Sequence, residues 1–216
     1  MSGYQGIIFD LDGVLVDTAE LHFQAWKRLA DRLGVPFDRQ ANERLKGVSR
    51  MASLDILLEP TGDRYGPVER EAMAAEKNAD YVALIDTLSP SDLLPGARAA
   101  LQACRSAGLG VALGSASRNS PKVLDRIGLA ALFDAIVDPA GLAGKPAPDI
   151  FLKGAQMLKV PPHSCIGVED AVAGVEAIKA AGMPAIGIGD PQRLTQADLV
   201  MPDLSHFNLA DLPRAA

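Results

Sequence analysis

The strongest constraint on this chain lies in its first thirteen residues. Gly6-Ile7-Ile8-Phe9 is a continuous apolar run too short for a helix, and it stops at Asp10-Leu11-Asp12-Gly13. Such a run, ending at a carboxylate, reads as a strand buried on both faces, which belongs to a parallel sheet covered by helices. Later segments repeat that character. Gly110 to Leu113, Ala135 to Val137, Cys165 to Val168 and Ala185 to Ile188 are brief apolar runs, and the helical stretches between them end at Gly108, Gly128 and Gly182.

One long stretch breaks the alternation. From about Thr18 to Leu88 the pattern is helical: Leu21, Ala25, Leu29 and Leu33 recur every four residues, with Thr18 as candidate N-cap and Gly34 as the stop. Further helices are predicted around Ser53 to Leu58 and from Pro67 to Leu88, where Ala72, Ala75 and Ala79 form a stripe read as packing. The expected fold class is α/β: a Rossmann-like doubly wound parallel sheet from residues 1–16 and 89–216, with a helical domain inserted over residues 17–88. No internal repeat or low-complexity tract interrupts it.

Composition narrows the function classes. With 216 residues and 48% apolar content, the chain can bury one core and a modest insert and is not disordered. A net charge of −6 disfavours nucleic acid as a partner but leaves room for a small anion held by local cations. The two cysteines, Cys104 and Cys165, form no CxxC or His-paired motif, so neither a disulfide framework nor a zinc site is indicated and a reducing cytoplasm fits. No run approaches the roughly 18 apolar residues of a membrane span. The expectation is a soluble cytoplasmic protein starting at its own Met1, monomeric, with neither membrane nor nucleic-acid partner.

Ligands of open parallel sheets gather at the carboxyl ends of the strands. Four such ends carry polar groups here: Asp10 and Asp12, Ser115, the Lys145 loop, and Glu169-Asp170. Asp10 and Asp12 read either as an Asp-Gly turn or as a nucleophile with a proton shuttle two residues on. A carboxylate attacking a phosphate ester needs cations nearby, since both partners are negative. Glu169 and Asp170 suit Mg²⁺ or, equally, a helix N-terminus. Lys145, between Gly144 and Pro146, is either a solvated surface charge or a phosphate anchor. Ser115 offers a hydroxyl and an N–H. Each plain reading stands alone, but their conjunction in chain order at successive strand ends favours phosphoryl chemistry.

The segments FDLDGVLVDT, the Ser115 strand end, the Lys145 loop and GVEDAVAG resemble the haloacid dehalogenase superfamily, and the helical insert resembles its small cap domain. True haloacid dehalogenases lack the second Asp of the pair and need no metal. DTAELHFQAW, LKGVSR, SPSDLLPG, GSASRNSP and GKPAPDIF are similar, more narrowly, to the family of β-phosphoglucomutases. That resemblance implies interconversion of β-D-glucose 1-phosphate and D-glucose 6-phosphate through a bisphosphate. It makes Asp10 the phosphorylated nucleophile and Asp12 the general acid and base. It implies Mg²⁺ on the Asp10 carboxylate, the Asp12 carbonyl and Asp170, with Glu169 as ligand or neighbour. Lys145 and Ser115 hold the transferring phosphate. Lys46, Gly47, Val48, Arg50 and Ser53 of the cap meet the sugar phosphate with Ala116, Ser117, Arg118 and Asn119 of the core, and Lys77 reaches the sugar. Thr18 and His22 couple cap closure to Asp12. Position 118 is Arg where the family carries Lys, which keeps the charge and changes the donor geometry. Arg50 also reads as a helix-surface charge and His22 as a half-exposed helical histidine. The rival expectations are a capped sugar-phosphate phosphatase of the same superfamily and a binding protein on an inactive scaffold.

Overall fold

The computed structural model describes residues 3–45 and 47–213. The strands are β1 (Gly6–Phe9), β2 (Gly110–Leu113), β3 (Ala135–Ile136), β4 (Cys165–Glu169), β5 (Ala185–Ile188) and β6 (Leu199–Met201). All pair in parallel, in the order β3-β2-β1-β4-β5-β6. This is a doubly wound Rossmann-like sheet, and its order reverses between β1 and β4, where such sheets bind ligands. Helices α5 (Ala97–Ser106), α6 (Ser120–Ile127), α7 (Asp149–Leu158) and α8 (Val172–Ala180) cover it.

Burial on both faces explains the uninterrupted apolar runs. Ile7 and Phe9 pack on one side with Leu101 and Leu124, while Ile8 packs on the other with Phe151 and Ile178. Residues 19–85 fold as helices between β1 and β2: α1 (Ala19–Leu33), α2 (Arg39–Glu43), α3 (Arg50–Leu58) and α4 (Pro67–Ile85). They bury a cluster of their own around Trp26, Leu29, Phe37, Leu54, Leu57 and Met73. The two chain crossings into this insert run side by side: Val16 bridges Leu93, and Leu94 N–H donates to Leu15 O at 3.0 Å.

The structure corrects several expectations. Thr18 stands at the N-cap position of α1, but its hydroxyl makes no cap bond and donates instead to Asp12. Ala72, Ala75 and Ala79 are exposed; α4 buries Met73, Ala74, Lys77, Tyr81 and Ile85, because the larger side chains remove more area from water. β6 and the five-residue α2 are additional elements, and α3 begins at Arg50, where Ser49 caps it by accepting from Ala52 N–H. Helix α7 stops without glycine, at Lys159 with φ 59°.

Candidate active site

The sheet register assembles the site. Phe9 lies opposite both Leu113 and Val168, so the residues that follow, Asp10, Gly114-Ser115 and Glu169, emerge side by side. Asp10 N–H donates to Val168 O at 2.9 Å and Gly114 N–H to Phe9 O at 2.8 Å, which carries the pairing into the loops. Lys145, on the loop between β3 and α7, reaches in from the side. Its Nζ donates to Asp10 Oδ1 at 2.5 Å and to Glu169 Oε1 at 2.6 Å, and its side chain is 1% exposed. The solvated-surface reading of Lys145 therefore fails.

Charge at this point is unbalanced. Burial pushes the Asp10 carboxyl up to about 7, helped by Glu169 and Asp12 and opposed by Lys145. Burial lowers the Lys145 ammonium, but Asp10 and Glu169 outweigh it and hold Lys145 above the ordinary lysine value. One lysine thus faces several carboxylates, an arrangement that accommodates a further cation. Carboxylate oxygens of Asp10, Glu169 and Asp170 lie within 4.8 Å of one another, the one such group of metal-binding side chains among the described residues. These hard oxygen donors in a buried, net-negative crevice fit a hard divalent cation. Glu169 Oε1 is taken by Lys145, and Oε2 accepts from the N–H groups of Asp170 at 2.6 Å and Ala171 at 2.9 Å. Asp10 is held as well, by Lys145 at Oδ1 and by Asp12 N–H at Oδ2 at 3.0 Å, but Asp10 and Asp170 line the cavity, whereas Glu169 is buried beneath it.

Two glycines make the approach possible. Gly13 has φ +80°, and a Cβ there would sit 2.2 Å from Asp170 Oδ2; one on Gly174, inside α8, would sit 1.8 Å from Glu169 Oε1. The Asp-Gly pair after β1 is therefore both a turn and a seat for Asp170. The insert closes over the cluster through Gly47 (φ +73°), where a Cβ would lie 3.1 Å from that of Ala171 and 4.0 Å from Glu169 Oε1.

A second network reaches Asp12 from the insert. Thr18 donates its hydroxyl hydrogen bond to Asp12 Oδ1, and His22 Nε2 lies 3.9 Å from the same oxygen. His22 stacks on Tyr81 with centroids 4.0 Å apart, and Lys77 Nζ stands 2.9 Å from His22 Nδ1, over the Trp26 and Tyr81 rings at 4.6 and 4.7 Å. Burial, then the charges of Lys77 and Arg50, hold His22 well below its ordinary value, so the ring is neutral. A neutral ring that accepts from Lys77 at Nδ1 carries its proton at Nε2, toward Asp12. Burial, then Arg50, brings Lys77 down to about 7, and burial raises Asp12 against its bond from Thr18.

Both networks open on a cavity of about 450 Å³ between sheet and insert. Asp10, Asp12, Asp170 and Lys145 line its floor; His22, Gly47, Val48, Arg50, Ser53 and Lys77 line the insert side; and Ala116, Ser117, Arg118 and Asn119 line the opposite rim. Three expected site residues stand behind the wall. Thr18 is buried on Asp12, Glu169 is buried under Lys145, and Ser115 is buried with its Oγ accepting from Ser117 N–H at 3.1 Å. Ser53 is also buried, its hydroxyl donating to Leu45 O at 3.4 Å. Lys46 lies outside the described residues. Arg50 and Arg118 approach from opposite sides of the cavity, and neither is ion-paired among the described residues. Two unpaired guanidiniums beside one cavity call for an anion.

Trp26, Asn78 and Tyr81 also line the cavity and were not singled out in the sequence. Trp26 follows His22 by four residues, and Tyr81 follows Lys77 by four, so helical spacing puts each pair on one face. Asn78 Oδ1 accepts from Asn119 Nδ2 at 2.8 Å, joining the insert to the core.

The haloacid dehalogenase-like hydrolase family model matches residues 4–182. A β-phosphoglucomutase from Bacillus subtilis is 49% identical over 208 residues, covering 95% of this chain and 92% of the relative. The crystal structure of a β-phosphoglucomutase from Clostridium difficile superposes with a TM-score of 0.93 at 42% identity, covering 96% of this chain and 94% of that one. A fructose-1-phosphate phosphatase from Escherichia coli is 34% identical, covering 86% of this chain and 96% of the relative. The chain therefore belongs to the haloacid dehalogenase-like family, in its β-phosphoglucomutase branch.

Proposed function

We propose that the protein is an isomerase that interconverts β-D-glucose 1-phosphate and D-glucose 6-phosphate, by way of a phosphorylated Asp10 and β-D-glucose 1,6-bisphosphate. The observation that carries this reading is the pairing of Arg50 and Arg118 across a cavity whose floor already holds Asp10 and Lys145. One phosphate belongs at the floor and a second between the guanidiniums, which suits a bisphosphorylated sugar able to turn between two half-reactions.

Asp10 attacks the phosphorus at the floor while Lys145 neutralises the developing charge on the transferring group. Asp12 gives the leaving sugar oxygen its proton and later removes one from the attacking hydroxyl. Its raised affinity for protons, caused by burial, suits that exchange. Thr18, His22 and Lys77 fix the Asp12 carboxylate when the insert, acting as a cap over residues 17–88, is shut. Gly47, Val48 and Ser53 hold the sugar from the insert side, and the family resemblance assigns Lys46 to the same ligand. Ala116, Ser117 and Asn119 complete the phosphate contacts, and Ser115 supports them from behind the wall by accepting from Ser117 N–H. Asp10, Asp170 and the Asp12 carbonyl would hold Mg²⁺, with Glu169 positioning them. When bound, the ion screens the charge between carboxylate and phosphate.

Exclusion of water separates a mutase from a phosphatase on this scaffold. The fit of Gly47 against Ala171 and the Asn78–Asn119 bond close the cavity in a way that serves the mutase. Residues of one chain complete it, so a monomer suffices. Among the described residues no helix is long and apolar enough to cross a membrane, and a sugar-phosphate substrate supports a cytoplasmic location. The deciding assay supplies β-D-glucose 1-phosphate with a trace of bisphosphate and follows glucose 6-phosphate and inorganic phosphate together. Glucose 6-phosphate in large excess supports the reading; phosphate release matching substrate loss overturns it in favour of a phosphatase.

A further inference from the structure

Among the described residues, ion pairs between insert and core fall in two places. Asp86 pairs with Lys122 and Arg126. It ends α4, where the chain returns to the core, so those contacts stand at the hinge. The other pair lies elsewhere: Arg193 Nη2 donates to Glu43 Oε2 at 2.7 Å. Glu43 closes α2, and the chain runs from it straight into the Gly47–Arg50 segment that lines the cavity.

Arg193 sits on an anchored loop. Its N–H donates to Asp190 O at 3.1 Å, Gln192 N–H donates to Asp190 Oδ1 at 2.8 Å, and the next residue, Leu194, is 3% exposed in the core. The guanidinium is thus presented from a fixed base, whereas Glu43 belongs to the insert. Swinging the insert away must break this contact, while the backbone around Asp86 changes little near the chain crossings. We propose that Arg193 is a positioning residue that clasps the insert shut over the cavity through Glu43. The proposal deepens the mutase reading, because a shut insert is what keeps water from phospho-Asp10.

Both partners are partly exposed, Arg193 at 52% and Glu43 at 39%. The pair therefore biases closure about two- to fivefold, the range of exposed pairs, and salt weakens it. Cys104 and Cys165 are buried, so nitroxides can be placed selectively at Val68→Cys on the insert (80% exposed) and Met157→Cys on the core (42% exposed). Distance distributions are then measured on the substrate-free protein. Arg193→Glu should raise the open-to-closed ratio about two- to fivefold, and raising ionic strength to about 0.5 M should do the same to the parent while leaving Arg193→Gln unmoved. The perturbation is placed on Arg193 because Glu43 holds a further contact; adding Glu43→Arg to Arg193→Glu should restore the parent distribution. Phosphate released per glucose 6-phosphate formed should rise by the same factor in Arg193→Glu, with an unchanged melting temperature. Unaltered distances in Arg193→Glu, or equal salt responses of parent and Arg193→Gln, overturn the clasp. If the distances shift as expected and the parent forms no glucose 6-phosphate, the proposed reaction fails and the clasp stands.

Discussion

Replacing Lys145 by Met keeps the side chain's length and removes its charge, leaving the Asp10 and Glu169 carboxylates buried with no cation between them. At 2.5 and 2.6 Å, each contact carries about 6 kcal/mol of gross attraction at an effective dielectric constant near 20. Most of that is offset by the cost of desolvating the charges, and stranding the partners of a buried pair costs about 3–5 kcal/mol net. For a chain of this size the melting temperature should fall by about 10 °C at pH 8. The penalty should shrink at pH 5. Burial already raises the Asp10 carboxyl against the pull of Lys145, and without that lysine it titrates higher still, so its protonation relieves the cost at low pH and the cost returns as pH rises through the raised value. Turnover should drop about a thousandfold or more, as when a cation is removed from a transferring phosphoryl group. Mg²⁺ should bind more tightly, since a competing positive charge has gone. The assays are thermal denaturation at the two pH values, Mg²⁺ titration by calorimetry and coupled turnover. A variant melting within about 2 °C of the parent at pH 8 would refute the buried-pair argument.

Gly174→Ala should reverse the usual sign of a helical glycine substitution: in place of a gain of about 0.5–1 kcal/mol it should destabilise and inactivate, because the new methyl occupies the place of Glu169 Oε1; a more stable, active variant in denaturant melts counts against it. Lys77, brought down to about 7, binds fewer protons folded than unfolded between there and about 10.4, so its burial penalty is full below pH 7 and is relieved as pH rises. Stability of the parent relative to Lys77→Met should accordingly climb between pH 7.5 and 9.5, by at most about 1.4 kcal/mol per pH unit; parallel melting curves would contradict that. Arg50→Ala should weaken the bisphosphate by about 10- to 100-fold and a single-phosphate ester far less, as expected for loss of charge-assisted bonds to the second phosphate. Equal losses in competition binding would remove Arg50 from that phosphate.

Much of the architecture could be read from the residues because parallel strands buried on both faces leave unbroken apolar runs. Gly6–Phe9 ends in a carboxylate for the same reason that it binds: the chain leaves the sheet at its ligand edge. What escaped was either too short to carry a period or settled by distant partners. Leu199-Val200-Met201 is three residues long, and α2 has no apolar repeat. A threonine opening a helix reads as an N-cap from its neighbours alone, but Asp12, six positions earlier, competes for the hydroxyl and wins. The small side chains of Ala72, Ala75 and Ala79 mimic a packing stripe that Met73, Tyr81 and Ile85 occupy. Lys145, Asp170 and Glu169 were recognisable as chemistry; that both Glu169 oxygens are taken, and that Gly174 makes room for them, depends on β4 running one residue beyond its apolar stretch.

Phosphate trapping on the nucleophile tests the account most directly. The protein is mixed with labelled β-D-glucose 1,6-bisphosphate and Mg²⁺, quenched in acid within milliseconds, digested and mapped by mass spectrometry. One acid-stable, base-labile phosphoryl group should appear on the peptide carrying Asp10, and none in Asp10→Asn. Label on any other residue, or an Asp10→Asn protein that still turns over, would contradict the assignment.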